Sequence, residues 1–182
     1  MGMKKIVLLT DFSDYAQRAI DFALRLLRDS YGDDLKIILL HAYHYPYMAS
    51  GYGQVSPTSV PEPQRETEEL LTETLEELHR AHPDLPIEAR LEAGALGAVL
   101  ETISHEEMPD LIAMGTRGAG EMNGLVLGSN AARVAKKADC PVLIIPEKAV
   151  YRRPERIVFA TDFEKLDNLN LLNPLLDLVR TF

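Results

Sequence analysis

The sequence contains few of the residues that several classes of protein require. Cys140 is the single cysteine among 182 residues, so no disulfide can form within this stretch. Cys140 stands just before an apolar run, where a buried thiol at the entrance of a strand is favoured over a catalytic or metal-binding one. A fold held by internal disulfides is therefore excluded.

Positive charge is also scarce. The chain has 19 Lys and Arg against 28 Asp and Glu, which gives a net charge of -9 and an isoelectric point near 5.0. This balance argues against unspecific binding to nucleic acid or to an anionic membrane. An anionic ligand would need local donors, such as backbone amides.

Long apolar runs are missing as well. Runs such as residues 37–40 are far shorter than the ~20 residues that span a bilayer. The chain passes from Met1 directly into a strand-like run without a small-residue cleavage site, and Ile6 stands where a myristoylation signal needs Ser or Thr. We therefore expect a cytoplasmic protein with no membrane partner.

Apolar runs alternate with helical patterns along most of the chain. Strands are predicted at residues 4–11, 35–40, 86–91, 111–114 and 142–145, with amphipathic helices between them. The alternation predicts an α/β domain with an open five-stranded parallel sheet and helices on both faces, whose ligands bind at the carboxyl ends of the strands. After the second strand, a segment rich in Pro, Gly, Ser and Tyr reaches Pro63 and predicts a long loop, either a lid or an insertion without function.

A glycine-rich stretch separates the fourth predicted strand from the last predicted helix of this domain. It contains five glycines: Gly115, Gly118, Gly120, Gly124 and Gly128. Glycine lets backbone amides converge closely on an anion, and a helix that begins near Ser129 adds unpaired amides and a positive dipole end. The stretch predicts a phosphate-binding loop, with a plain surface turn as the alternative.

The glycine spacing matches neither a Walker A loop nor the dinucleotide motif. It runs Gly115, two residues, Gly118, nine residues, Gly128-Ser129, which resembles the ATP-binding branch of the universal stress protein family. The strand before the loop, the helix after it and the ending Cys-Pro-Val-Leu-Ile-Ile-Pro agree with this resemblance. It implies the strand order 3-2-1-4-5 and a nucleotide-responsive protein of the stress response that binds ATP or a related adenine nucleotide.

The resemblance also implies the residues of the site. In the family, an Asp at the position of Asp11 contacts the adenosine moiety, and the residue at the position of Ala42 offers its backbone to the adenine ring. The positions that match the family motif are Thr10, Asp11, Ala42, Met114, Gly115, Gly118, Gly128, Ser129 and Asn130. From the residues alone, Asp11 could also be a helix cap or a turn residue.

Two charged residues of the loop depart from the family pattern. Arg117 stands where relatives often have His or Lys, and its guanidinium could pair with phosphate oxygens or simply be solvated. Glu121 places a negative charge in the same loop, where a magnesium ion could mediate phosphate binding. The predicted nucleotide site therefore includes Arg117 and leaves room for Mg²⁺.

The beginning of the chain is repeated near its end. Residues 156–163 repeat residues 5–12, with Ile, Val, Thr, Asp and Phe identical in register. We interpret residues 1–147 as one complete domain, 148–153 as a linker and 154–182 as the first strand and helix of a truncated second copy, with Asn173 as a possible helix cap. The resemblance implies a tandem universal stress protein with one nucleotide site.

No pair of nucleophile and base emerges, so no catalytic residue is predicted and slow ATP hydrolysis is the most that the sequence indicates. His41 and His44 lack the glycine of a nucleotidyltransferase motif, and His105-Glu106-Glu107 lacks the second histidine of a zinc site. Two alternatives stay open: a nucleotide-independent module that forms a homodimer through the edge strands 142–145 and 157–160, and a weak ATP hydrolase.

Overall fold

The computed structural model describes residues 4–43, 62–116, 128–161 and 172–182. These residues contain five strands and five helices, in the order β1 (Lys4–Leu9), α1 (Asp14–Tyr31), β2 (Leu35–Tyr43), α2 (Glu62–Ala81), β3 (Ile87–Ala93), α3 (Leu96–Glu107), β4 (Leu111–Gly115), α4 (Ser129–Lys137), β5 (Val142–Ile145) and α5 (Asn173–Thr181). The predicted loop that ends at Pro63 lies mostly outside the described residues.

The strands form one parallel sheet in the order β3-β2-β1-β4-β5, which confirms the predicted fold class and strand order. β1 lies in the middle and pairs with β2 on one side and with β4 on the other. Leu9 is opposite Leu40 of β2, and Leu8 is opposite Ala113 of β4. The turn after β1 therefore leaves the sheet where the strand order reverses.

Both faces of the sheet are covered, as the continuous apolar strands predict. Alternate residues of β1 point to opposite sides, so Leu8 packs in one core with Leu24 of α1, whereas Val7 packs in another with Val99 of α3. Val134 of α4 completes the second core. The sheet is thus a central layer between two apolar cores.

Helix α1 is fixed at both ends by its own sequence. The Ser13 side chain caps the first turn and accepts a hydrogen bond from the Ala16 amide at 3.2 Å. At the other end, Gly32 takes φ 64°, a left-handed conformation that glycine adopts without strain, and its amide bonds the Arg28 carbonyl at 2.8 Å.

Several predicted boundaries differ from the observed ones. β2 continues to Tyr43 because its last three residues pair with β3, and α2 begins at Glu62. α4 ends at Lys137, and Ala135 in its last turn is exposed. Cys140 is half-buried rather than buried, and burial raises its pKa to about 11, which keeps the thiol protonated at neutral pH.

The repeated segment near the chain end is only partly regular. Residues 151–161 form no strand, although residues 157–160 repeat the last four residues of β1. α5 follows as predicted, but it begins at Asn173 with Leu172 as the cap residue, because Pro174 fits the first turn of the helix. Of the helices that the structure describes, none is both long enough and apolar enough to cross a membrane.

His82 lies just after α2. Among the described residues, its Nδ1 is the buried side-chain atom that has no hydrogen-bond partner. Burial lowers the pKa of His82, the nearby Arg28 and Arg25 of α1 lower it further, and Asp21 partly opposes them. A proton on this ring is therefore disfavoured in the folded state.

We predict that acid destabilises the fold through His82. The folded-state pKa lies below the ordinary value of 6.5, so the unfolded chain takes up more protons and stability falls as the pH drops through that value. In urea unfolding at about pH 7.5 and about pH 5.5, His82→Leu should lose less stability on acidification than the wild type. The exposed His105→Gln should behave as the wild type; equal acid sensitivity in all three would contradict the prediction.

Candidate functional site

The turn after β1 is built around the buried side chain of Thr10. Its amide donates to the Leu40 carbonyl at 3.0 Å and continues the ladder to β2, while its Oγ1 accepts a hydrogen bond from the Phe12 amide at 3.0 Å. Phe12 has φ 63°, in the left-handed region that a bulky residue rarely adopts. The hydroxyl of Thr10 therefore holds a strained turn at the end of the central strand.

Asp11 lies between that turn and α1. Its Oδ1 accepts hydrogen bonds from the Ser13 amide at 3.1 Å and from the Ser13 hydroxyl at 2.6 Å. The turn role that the sequence left open is thus present. Asp11 is half-exposed, and the parallel register of β1 and β2 places it level with Ala42. The two residues implied to contact the nucleoside lie on neighbouring strand ends.

His41 and Phe12 belong to the same site, and the sequence reading missed this. Their rings stack with centroids 4.4 Å apart and an angle of 33° between the planes. Nδ1 of His41 is 2.8 Å from the Thr10 carbonyl, and because a carbonyl only accepts, the Nδ1 atom carries the hydrogen. The signal in the sequence was an aromatic residue directly after Thr10-Asp11 and a histidine at the end of the next strand.

β4 and the start of α4 form the other side of the site. Met114 is buried at the end of β4, and the Thr116 amide donates to the Ile145 carbonyl at 3.0 Å. The Gly128 amide donates to the Thr116 carbonyl at 2.8 Å. This bond fastens together the two ends of the glycine-rich loop. Arg117, Gly118 and Glu121 lie outside the described residues.

Helix α4 starts directly at this closure. Gly128 is its cap residue, with φ -59° and ψ 154°, and it has no side chain that could cap the first turn. Gly128 is buried, whereas Ser129 and Asn130 are exposed in that turn. The positive end of the α4 dipole therefore lies next to the carboxyl end of β4.

The structure thus brings most of the predicted residues to one edge of the sheet. The turn after β1, the end of β2, the end of β4 and the start of α4 supply Thr10, Asp11, Ala42, Met114, Gly115, Gly128, Ser129 and Asn130. Among the described residues, no group of three or more His, Cys, Asp or Glu is placed to hold a metal ion. The arrangement offers backbone amides, a helix N-terminus and one carboxylate, which suit binding of a phosphorylated nucleoside.

Comparison with known proteins identifies the family. A model of the universal stress protein family matches residues 2–146. The chain belongs to the universal stress protein family. A curated relative, the Thermus aquaticus "universal stress protein in QAH/OAS sulfhydrylase 3′ region", is 31% identical over 149 residues, which are 78% of this chain and 98% of that protein. The match to the family model covers the sheet and the candidate site but not α5.

Two solved universal stress proteins share the fold and carry ligands. One, in complex with cAMP, is 25% identical, has a TM-score of 0.57 and aligns over 81% of this chain and 100% of its own. An Arabidopsis thaliana family member with AMP bound is 25% identical, has a TM-score of 0.51 and aligns over 80% of this chain and 93% of its own. Adenine nucleotides are therefore ligands of structurally similar members of the family.

We predict that the hydroxyl of Thr10 stabilises the turn of this universal stress protein. Thr10→Val keeps the shape but leaves the half-buried Phe12 amide without its acceptor, which should lower the free energy of unfolding by about 1–3 kcal/mol in urea titrations. The control is Thr102→Val, whose exposed hydroxyl bonds the Ala98 carbonyl within α3. Equal stability of the two variants would show that the turn does not depend on this bond.

Proposed function

We propose that this universal stress protein binds ATP or a related adenine nucleotide at the carboxyl edge of β1, β2 and β4 and acts as a nucleotide-responsive module in the stress response. One observation carries the proposal: the Gly128–Thr116 bond fixes both ends of the glycine-rich loop and the start of α4 beside the turn that holds Asp11. The ligands of the cAMP-bound and AMP-bound relatives support adenine recognition.

In this proposal the nucleoside lies against β1 and β2. Asp11 accepts a hydrogen bond from the sugar, since its carboxylate is half-exposed at the turn after β1. The backbone of Ala42 meets the adenine ring. Thr10 and Met114 form the floor, because both are buried between the strand ends.

The phosphates then extend toward the glycine-rich loop. Gly115, Gly118 and Gly128 give amides that can approach an anion closely, and the first turn of α4 adds Ser129 and Asn130. In this proposal Arg117 pairs with phosphate oxygens. A Mg²⁺ ion at the phosphates offsets the negative charge of Glu121. Local donors are required here because the net charge of -9 repels anions at a distance.

Binding, rather than dedicated catalysis, is the activity that the site supports. Of the predicted site residues that the structure describes, Asp11 is the one carboxylate, and it accepts two bonds from Ser13. A phosphate-binding loop positions its ligand but supplies no base for the attack of water. Weak ATP hydrolysis is the enzymatic alternative.

A second candidate function is homodimerisation through edge strands. β5 is an edge of the sheet, and Val142, Leu143 and Ile144 are only half-buried, unlike the strands inside a covered parallel sheet. Val158 is 90% exposed in the repeated segment.

We propose residues 1–147 as the complete domain, 148–153 as a linker and 154–182 as a truncated second copy in a tandem arrangement. We also propose that the protein is located in the cytoplasm.

We predict that the full chain binds ATP in isothermal titration calorimetry and that Asp11→Ala weakens the affinity at least about tenfold, because a charge-assisted hydrogen bond is lost. Asp84→Ala, in the exposed turn before β3 at the opposite edge, is the matched control and should bind as the wild type. Circular dichroism checks that both variants are folded. No heat with ATP, ADP, AMP or adenosine at millimolar concentration removes the proposal.

A change in the loop separates the two candidate functions. Gly118→Arg should abolish ATP binding, because a side chain at this glycine keeps the backbone away from phosphate. Sedimentation of the same variant should be unchanged if edge strands form the dimer. Loss of the dimer together with ATP binding would show that the two functions are not independent.

A further inference from the structure

α5 rests on the last turn of α1, at the amino-terminal edge of the sheet. Its Asp177 is buried, with 9% of the side chain exposed. The carboxylate accepts a hydrogen bond from the Tyr31 hydroxyl at 3.3 Å and lies 4.0 Å from the Lys4 ammonium. Arg180, one turn later in α5, is 3.6 Å from its other oxygen.

The surface that contacts Asp177 is held together by a charged side chain, Lys4. Lys4, at the start of β1, also pairs with Asp110 at 3.3 Å, and its ammonium lies 5.8 Å from the centre of the Tyr31 ring. Burial and the neighbouring Asp177 raise the pKa of Tyr31 to about 12, so its hydroxyl stays a donor at any physiological pH. A donor and a cation therefore face the helix from the complete domain.

The end of α5 has further attachments. The Thr181 hydroxyl donates to the Asp177 carbonyl at 2.9 Å and reaches the Ser30 carbonyl at 3.4 Å. Arg153, before the helix, donates to the Thr181 carbonyl at 3.1 Å and lies over the Phe182 ring, 5.3 Å from its centre. The contact thus extends beyond one side chain.

A second attachment point lies near the start of the repeated segment. The Tyr151 hydroxyl bonds the Asp29 carboxylate, and its ring meets Phe22 edge-on at 5.5 Å. Both partners belong to α1. The segment after the complete domain is therefore held on the same helix at both of its ends.

The internal repeat shows that α5 is not simply a second α1. In register, residues 173–181 correspond to residues 22–30, and the apolar Leu175 and Leu178 match Leu24 and Leu27. Asp177, however, stands where α1 has the buried Leu26. A carboxylate at that position does not suit a helix that covers its own apolar sheet, but it suits a polar receiving surface.

On the outer face of α5, apolar residues replace charged residues of α1. Leu176 and Val179 stand where α1 has Arg25 and Arg28, and they are 45% and 56% exposed. At these neighbouring positions, α5 thus has a polar residue where α1 is apolar and apolar residues where α1 is charged. Its most buried polar residue faces α1, while two apolar residues face away.

We propose that Lys4 and Tyr31 form a helix-docking site of the complete domain, and that Asp177 is the residue that specifies α5 of the same chain as its occupant. The kind of partner that this surface fits is an amphipathic helix with one inward carboxylate. The proposal does not rest on nucleotide binding, since the docking site lies at the amino-terminal edge of the sheet and the candidate nucleotide site at the carboxyl edge.

Hydrogen exchange with mass spectrometry on the full chain tests the proposal. Peptides from residues 173–182 should be protected in the wild type, and Asp177→Asn should raise their exchange rate about tenfold, because the negative charge that faces Lys4 and the Tyr31 hydroxyl is lost. Tyr31→Phe should raise it less. The double variant should exchange more slowly than the product of the two single effects, since both changes act on the same contact.

The control is Leu176→Ala, which alters the exposed face of the same helix and should leave α5 protected. Peptides from β1 and β2 should be unchanged in every variant, which shows that the domain stays folded. Protection that survives Asp177→Asn, or that falls equally in Leu176→Ala, would overturn the proposal. Protection that disappears on dilution would also overturn it, because the occupant would then come from a second copy.

Discussion

The position of β1 between β2 and β4 is the constraint on which the rest of the structure depends. Because the strand order reverses there, the turn after β1 has a neighbouring strand end on each side. The ladder bond from Thr10 to Leu40 and the closure from Gly128 to Thr116 then fix the two walls of that opening. The topology therefore places the candidate site at this opening.

The two edges of the same sheet have different chemistry. At the carboxyl edge, backbone amides and the N-terminus of α4 create a region suited to anions in a chain of net charge -9. At the amino edge, Lys4 pairs with carboxylates of the domain and of α5. Charge in this protein is therefore arranged locally, and the overall acidity says little about either site.

Much of the fold could be predicted from the sequence because apolar runs and helical periods are local properties. The boundaries of β2 could not, since its last residues become a strand only by pairing with β3. Asp11, Ala42 and Gly128 were predicted through a family resemblance, whereas the stacking of His41 on Phe12 joins the end of one strand to the turn after another and has no local pattern. The buried carboxylate of Asp177 in α5 was likewise not predicted, because its segment was interpreted only as a repeat of the first strand and helix.

Nuclear magnetic resonance of the ¹⁵N-labelled protein during addition of ATP tests the central claim most directly. We expect saturable shifts of the backbone amides of Asp11, Ala42, Gly115 and Ser129, which the fold brings to one edge of the sheet. The amides of Asp34 and Asp110, at the opposite edge, should not move. Shifts centred on that opposite edge, or no shift at millimolar ATP, would contradict the account.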